Sequence, residues 1–467
     1  MGVREWTAIA LGKGVGNLTR SLGRGAGSAL PGVIALTVAP RLLGYLARQL
    51  TEGVVLITGT NGKTTTARML ASILQTWGKT PIANPTGSNL LRGLTSALVQ
   101  RASLTGCIPH GEGTIGLFEV DEAVLPYAVR ELVPKAVVVH NLFRDQLDRY
   151  GEVDQVVAIW REAVKHLSLE ATVVLNADDP AVASLGEEAP GRVLYYGVED
   201  TTPGSQSLQH AADSKWCLKC GESLDYDVAF YGHLGHYCCR RCGSHRPLPE
   251  VSAQRIVARG LKSSNVTVST PEGPLSATVN LPGLYNVYNA LGATAAAVAL
   301  GVPLEVVGRG LASFTAAFGR FERVEMEGRT VYLVLAKNPA GFNQALRALF
   351  ADQSSRGVVF FLNDRQADGL DISWIWDVDF ELVVGYLPWV VVSGLRAEDM
   401  ALRLKYAGLD GAVPLVVEPD LGRAVLHGLE RTALGEDLYL VPTYTAMLDV
   451  RRWLSEKGYM APYWGRE

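Results

Sequence analysis

Val54-Val55-Leu56-Ile57-Thr58-Gly59-Thr60-Asn61-Gly62-Lys63-Thr64-Thr65-Thr66 is the stretch that decides the fold. An apolar, β-branched run that empties into a glycine turn and then a helix aims backbone N–H groups at one point. The positive end of the helix dipole is directed there too, so the natural occupant is an anion. Gly59, Thr60, Asn61, Gly62 and Thr65 would cradle its phosphates. Lys63 supplies a mobile positive charge for the outer ones, and the Thr64 hydroxyl can ligate Mg²⁺. The general phosphate-loop pattern asks for glycine at position 57, where Ile57 stands, so this loop is the short form Gly-x-x-Gly-Lys-Thr. The bland alternative is a strand-turn-helix that merely carries a lysine. Strand, glycines, lysine and three threonines in register weigh against it.

Outward from the loop, apolar runs at 54–58, 116–120, 136–140 and 172–176 alternate with helix-length segments. Such runs suit parallel strands buried on both faces and predict a doubly wound α/β domain with its ligand site beyond the carboxyl ends of the strands. Glu119 ends the second run, and an unpaired buried carboxylate is costly, so it is the first candidate to hold Mg²⁺. Asp121 and Glu122 read equally well as helix-start acids or as participants. A long alanine-rich helix is predicted over 285–300. A second α/β series follows, with strands at 331–336, 357–363, 381–385, 389–393, 413–418 and 437–442 and a helix over 397–408.

At 467 residues the chain is too long for one core, and length alone predicts about three domains. The expected division is a basic helical segment over 1–50, a central ATP-binding domain over 51–326 and a C-terminal α/β domain over 327–467. Net charge is −4, so no global field draws nucleic acid. No apolar run reaches membrane-spanning length, and without a cleavable signal pattern the cytoplasm is the expected compartment. The first fifty residues carry Arg4, Lys13, Arg20, Arg24, Arg41 and Arg48 against Glu5 alone. They read either as a lead-in packed on the next domain or as a surface lying near anionic lipid at the inner face of a membrane.

Between about 203 and 249 the strand–helix alternation stops, and five of the six cysteines gather there. Cys217-x-x-Cys220 and Cys239-x-x-Cys242 are two knuckles whose separation matches a four-thiolate zinc ribbon. A disulfide pair is the competing reading, disfavoured in a reducing compartment. With all four positions filled by protein, such a site is structural.

Several weak motifs gain force from their order. Gly59 to Thr66, the Glu119 strand end, Asn141…Asp145-x-Leu-Asp148…Gly151, Asn176-x-Asp178-Asp179, the paired Asn286 and Asn289, and Gly319-Arg320 together resemble the Mur ligase superfamily. Those enzymes form amide bonds with ATP. Two histidines usual in that superfamily are replaced by Gln146 and Tyr285, and residues 152–163 hold no lysine for the usual carbamylation. With the four-cysteine insertion, Leu335-Ala-Lys-Asn-Pro-Ala-Gly-Phe-Asn343 and Ala367-Asp-Gly-Leu-Asp-Ile-Ser-Trp-Ile-Trp-Asp377, the pattern resembles the branch that forms the synthetase subunit of lipid II isoglutaminyl synthase.

That resemblance implies a Mur-ligase-type central ATPase domain, an inserted Cys₄ zinc ribbon and a Rossmann-like C-terminal domain. It implies that ATP activates the α-carboxylate of the stem-peptide D-glutamate in lipid II, and that ammonia displaces phosphate to leave D-isoglutamine. It carries adenine binding to Asn286, phosphate contact to Arg320 and catalytic roles to Lys63 and Glu119. A GatD-like glutaminase subunit would supply the ammonia in a heterodimer. Asp371, with Asp368 as the next choice, would complete the glutaminase triad across the interface. The alternatives are an amino-acid-adding Mur or folylpolyglutamate ligase, and a zinc-ribbon scaffold with a vestigial loop.

Overall fold

The computed structural model describes residues 2–21, 29–84, 88–109, 113–144, 153–206, 208, 212–314, 320–409, 411 and 413–461. Strands β1 (Val54–Thr58), β2 (Thr80–Ala83), β3 (Thr114–Glu119), β4 (Ala136–Val139), β5 (Thr172–Asn176) and β6 (Arg192–Val198) are parallel. A separate antiparallel hairpin, β7 (Asp225–Tyr231) and β8 (Leu234–Cys238), belongs to the cysteine-bearing insertion. The chain then rejoins the main sheet through β9 (Val251–Arg259), β10 (Ser263–Thr270) and β11 (Gly273–Val279). The sheet order is β11-β10-β9-β6-β5-β4-β1-β3-β2.

Period-two alternation divides the buried residues of this sheet between two cores. Val55 and Ile57 pack with the helices Lys63–Thr76 and Leu284–Ala299 on one face. Val54 and Leu56 face Leu46, Leu98 and Trp160 on the other. The helices Val3–Ser21, Leu30–Val38 and Leu42–Ala47 contribute Ala8, Ile9, Ala35, Leu42 and Leu43 to that second core. The basic lead-in is therefore packed on the central sheet along one side.

The C-terminal sheet contains β12 (Arg320–Met326), β13 (Arg329–Val334), β14 (Val358–Phe361), β15 (Val390–Ser393), β16 (Leu415–Val417) and β17 (Asp437–Pro442), in the order β12-β13-β17-β14-β15-β16. Only β12 runs antiparallel to its neighbour. One expected strand is corrected: residues 381–385 fall in two 3₁₀ turns, Phe380–Leu382 and Val384–Tyr386. Phe380 and Val383 are the buried anchors here. A spacing of three matches the 3₁₀ repeat rather than the period of two that a strand requires.

Candidate active site

β1 lies between β3 and β4, so its carboxyl end opens at the point where the sheet order reverses, the usual ligand position in such sheets. The loop leaving β1 is pinned to the end of β4. Thr60 N–H donates to Asn141 O (2.9 Å), Asn61 N–H to Asn141 Oδ1 (2.9 Å), and Asn141 Nδ2 returns a bond to Asn61 O (3.1 Å). Gly62 has φ 92°, and a Cβ there would stand 2.1 Å from Asn289 Oδ1. Both the left-handed backbone and the close approach exclude a side chain.

The helix after the loop presents Lys63 and Thr64 to two carboxylates. Lys63 Nζ donates to Gly59 O and pairs with Glu122 at 2.7 Å, both side chains nearly buried. Thr64 Oγ1 donates to Glu119 Oε2 at 2.7 Å. Two oxygens that close can both reach one Mg²⁺ at about 2.1 Å, so this pair fits the expected metal. Glu119 is fixed in turn by Asn84, which accepts from Glu119 N–H (2.9 Å) and donates to Glu119 O (3.1 Å). Thr65 is buried, and its hydroxyl has no hydrogen-bond partner among the described residues. Behind the loop, His140 is fully buried between the hydroxyls of Thr66 and Tyr196. Burial, reinforced by the Lys63 charge, lowers its pKa to about 3 and keeps the ring neutral.

The loop opens into a cleft of about 580 Å³ between the two sheets' domains. Asn61, Gly62 and Asn141 are among its polar lining residues, and Tyr231, Tyr285 and Ala345 among its aromatic and apolar ones. Part of the wall comes from the Pro339–Leu349 helix, whose N-cap Asn338 donates from Nδ2 to Asn61 Oδ1 (3.0 Å). Asn289 faces the cleft. Asn286 does not: it is fully buried, donating to Pro282 O (2.7 Å) and accepting from Asn289 Nδ2 (3.0 Å). Arg320 begins β12, but its side chain, like Gly319, Asp145, Gln146, Asp148 and Gly151, lies outside the described residues.

The four cysteines converge. Cys217, Cys220, Cys239 and Cys242 place their sulfurs within 4.8 Å of one another, and the closest pairs stand at 3.5 Å. Sulfurs about 2.3 Å from one tetrahedral ion would be separated by such distances. The backbone N–H groups of Cys242 and Arg241 bring the Cys239 thiol down to about 7. Cys238 and Cys107 stand outside the cluster.

The two candidate aspartates in the C-terminal domain differ in kind. Asp368 is buried and caps the last helix, accepting from Thr445 N–H (2.8 Å) and from the Thr445 hydroxyl. Burial pushes its carboxyl upward. Asp371 is exposed and accepts local bonds from Ser373, from its N–H (2.8 Å) and its hydroxyl, which hold its carboxyl below the usual range. Leu370, its neighbour in sequence, is exposed too.

Asn84, Tyr231 and His233 join the site without having been given a role from the sequence, and Asn338 entered there only within the 335–343 motif. Only Asn338 had a local signal there, as an Asn-Pro pair at a helix start. The others are brought in by long-range packing.

Loop, carboxylates and interdomain cleft on this pair of sheets define an ATP-dependent ligase of the Mur class. The Mur ligase middle domain matches residues 57–237, and the MurT ligase C-terminal domain matches residues 335–447. Along 447 residues the chain is 33% identical to the lipid II isoglutaminyl synthase subunit MurT of Staphylococcus aureus (strain COL), covering 95% of this chain and 96% of that one. It is 32% identical to the Streptococcus pneumoniae subunit of the same name, with 93% of each chain covered. The chain belongs to the MurT family. Among solved structures, a pseudomurein peptide ligase from Methanothermus fervidus shares the fold with a TM-score of 0.67 at 22% identity, covering 88% of this chain and 80% of that one. MurF from Acinetobacter baumannii does so with a TM-score of 0.63 at 20% identity, covering 89% and 80%.

Proposed function

We propose that this chain is the synthetase subunit of a lipid II isoglutaminyl synthase, amidating the α-carboxylate of D-glutamate in the lipid II stem peptide. One observation carries the reading. The phosphate loop, with its Thr64–Glu119 and Lys63–Glu122 pairs, opens directly into a cleft closed by the domain that matches MurT.

In this reading the N–H groups of the first helical turn, from Lys63 on, orient the triphosphate of ATP, while those of Thr60 and Asn61 hold the loop to Asn141. Lys63 is the mobile cation that neutralises charge on the transferring phosphoryl group. Thr64 and Glu119 would hold Mg²⁺, which supplies further neutralisation across the phosphates. The substrate carboxylate attacks the γ-phosphorus, ADP leaves, and an acyl phosphate forms. Ammonia then attacks the acyl carbon, phosphate leaves, and the amide of D-isoglutamine remains.

Ammonia is mostly ammonium at neutral pH, so a GatD-like glutaminase partner is part of the proposal. Asp371, ionised and exposed next to exposed Leu370, is suited to orient a partner histidine. The four-cysteine cluster is assigned to a structural Zn²⁺. Among the described residues no helix is long and apolar enough to cross a membrane. The first two helices nevertheless expose Trp6, Leu11, Leu18, Leu30 and Val33 in a basic segment. That supports peripheral contact with the membrane carrying the substrate.

Reconstitution tests the function. The chain plus a GatD-like glutaminase, ATP and a lipid II analogue should yield amide from glutamine, and Lys63→Ala should lower the rate by about 10²-fold or more. Product formation that depends on a free amino acid instead would sink the proposal in favour of an amino-acid-adding ligase.

A further inference from the structure

The cysteine-bearing insertion is a structural appendage only if it stays away from the chemistry, and it does not. The tip of its hairpin, Tyr231-Gly232-His233, is seated against the end of β4 that holds the phosphate loop. Gly232 has φ 56°, and a Cβ there would stand 2.5 Å from the Phe143 ring. The Phe143 ring lies 5.6 Å from that of Tyr231 and 4.6 Å from that of His233, centroid to centroid. Phe143 in turn exchanges two hydrogen bonds with the loop residue Thr60: its N–H donates to Thr60 Oγ1 (2.9 Å), which donates to Phe143 O (3.1 Å).

His233 has no exposed surface, and both its nitrogens are used. Asp213 N–H donates to Nδ1 (3.2 Å), which leaves Nε2–H to donate to Asp179 Oδ2 (3.2 Å). The same Asp179 oxygen accepts from Leu142 N–H (2.8 Å), while Oδ1 accepts from Ala181 and Val182. A buried carboxylate thus joins the insertion to the residue between Asn141 and Phe143, both of which grip the loop. Its neighbour Asp178 forms a second joint, accepting from Arg246 at the end of the insertion (2.5 Å) and from the Tyr288 hydroxyl on the Leu284–Ala299 helix (2.5 Å). Tyr288 packs edge-on against Tyr231, with centroids 5.5 Å apart.

Tyr231 itself reaches the cleft. It is only 3% exposed, yet it is part of the wall of the cleft that Asn61 and Gly62 also line, together with Tyr285 and Ala345. None of the described residues hydrogen-bonds its hydroxyl. An occupant whose triphosphate sits at Asn61 and Gly62 shares this cleft with the Tyr231 and Tyr285 rings, the aromatic surface in it that a nucleoside can stack on.

We propose that the hairpin tip is a working wall of the nucleotide site. Tyr231 is a contact residue for the nucleoside moiety of a nucleoside triphosphate, and His233 is a positioning residue that sets the phosphate loop through Asp179 and Leu142. The inference rests on the cleft binding ATP, and its test separates the two. Calorimetry on the full chain would compare Mg-ATP with Mg-tripolyphosphate, which has the phosphates and no nucleoside. Tyr231→Ala should weaken ATP binding about tenfold and leave tripolyphosphate within about twofold, as loss of one stacking contact would. Equal loss of both ligands, or no loss of ATP binding, overturns the Tyr231 role.

His233→Ala should weaken both ligands alike, by about tenfold, because it acts through the loop. His233→Gln, which keeps a donor toward Asp179, should recover most of that loss, with zinc content unchanged in both variants. Unchanged affinity in His233→Ala, or a Gln variant no better than Ala, overturns the positioning role. A wild-type chain that binds tripolyphosphate but not ATP would instead refute the nucleotide reading of the cleft.

Discussion

Asn61 and Asn338, 277 residues apart in sequence, meet where the two domains touch, Asn338 Nδ2 donating to Asn61 Oδ1 at 3.0 Å. The pair joins the phosphate loop to the first turn of a C-terminal helix, where Asn338 Oδ1 also accepts from Gly341 N–H at 2.8 Å. One carboxamide therefore caps a helix and fixes the relation of two domains.

Those two roles should separate by substitution. Asn338→Asp keeps the cap but loses the donor to Asn61, so the unfolding midpoint should hold while KM for ATP rises several-fold. Asn338→Ala loses both, and stability should fall by about 1 kcal/mol. Steady-state kinetics beside thermal unfolding checks this; an unchanged KM in the Asp variant would deny the loop contact any part in binding.

Asp371→Asn should abolish glutamine-driven amidation and largely spare amidation from ammonium salts, because the residue is exposed and the bonds it accepts from Ser373 are local. Asp368→Asn should act differently. It disturbs a buried helix cap and should lower stability by about 1 kcal/mol. Equal loss of both nitrogen sources in Asp371→Asn would assign Asp371 to the ligase site or to the fold.

Burial of neutral His140 makes stability pH-dependent. Its pKa is about 3 in the folded chain against 6.5 for a free imidazole, so on acidification the unfolded chain takes up the proton first. The contribution is complete above about pH 6.5 and is lost progressively toward pH 3, by at most about 1.4 kcal/mol per pH unit. Urea unfolding between pH 7.5 and 5 should give a shallower pH slope for His140→Gln than for the wild type. Identical slopes would remove His140 as the cause.

Cys217→Ser should lower bound zinc from one ion per chain and reduce the unfolding midpoint by several degrees, since one of four clustered thiolates is removed. Full zinc occupancy in that variant, measured by elemental analysis, would end the ribbon assignment.

Vesicle sedimentation addresses the first two helices. Binding should be stronger to phosphatidylglycerol than to phosphatidylcholine vesicles, should weaken with salt, and should drop with Trp6→Glu or Val33→Glu, both exposed positions. Indifference to lipid charge and to both substitutions would leave these helices with a packing role alone.

Much was legible in the sequence because it is written in neighbouring residues. β1, the glycine turn, Lys63 and Thr64 are contiguous, and their chemistry depends on local backbone geometry. The β-branched runs announce buried parallel strands, and two Cys-x-x-Cys knuckles announce a metal-sized cluster. The run at 381–385 misled because its composition suits a strand, while its burial repeats every third residue. What Asp121 and Glu122 do was open, and Glu122 proves to be the partner of Lys63.

The sequence by itself determined an anion-binding loop, two α/β sheets and a cysteine insertion, since each follows from periodicity or from short-range stereochemistry. Tertiary structure alone decided that Asn338 reaches Asn61, that Asn84 locks Glu119, and that Tyr231 and His233 of the insertion stand behind the phosphate loop. Those contacts join residues 35 to 277 positions apart. No local preference encodes such a pairing; it exists only once burial of the two faces of each sheet has brought distant segments together.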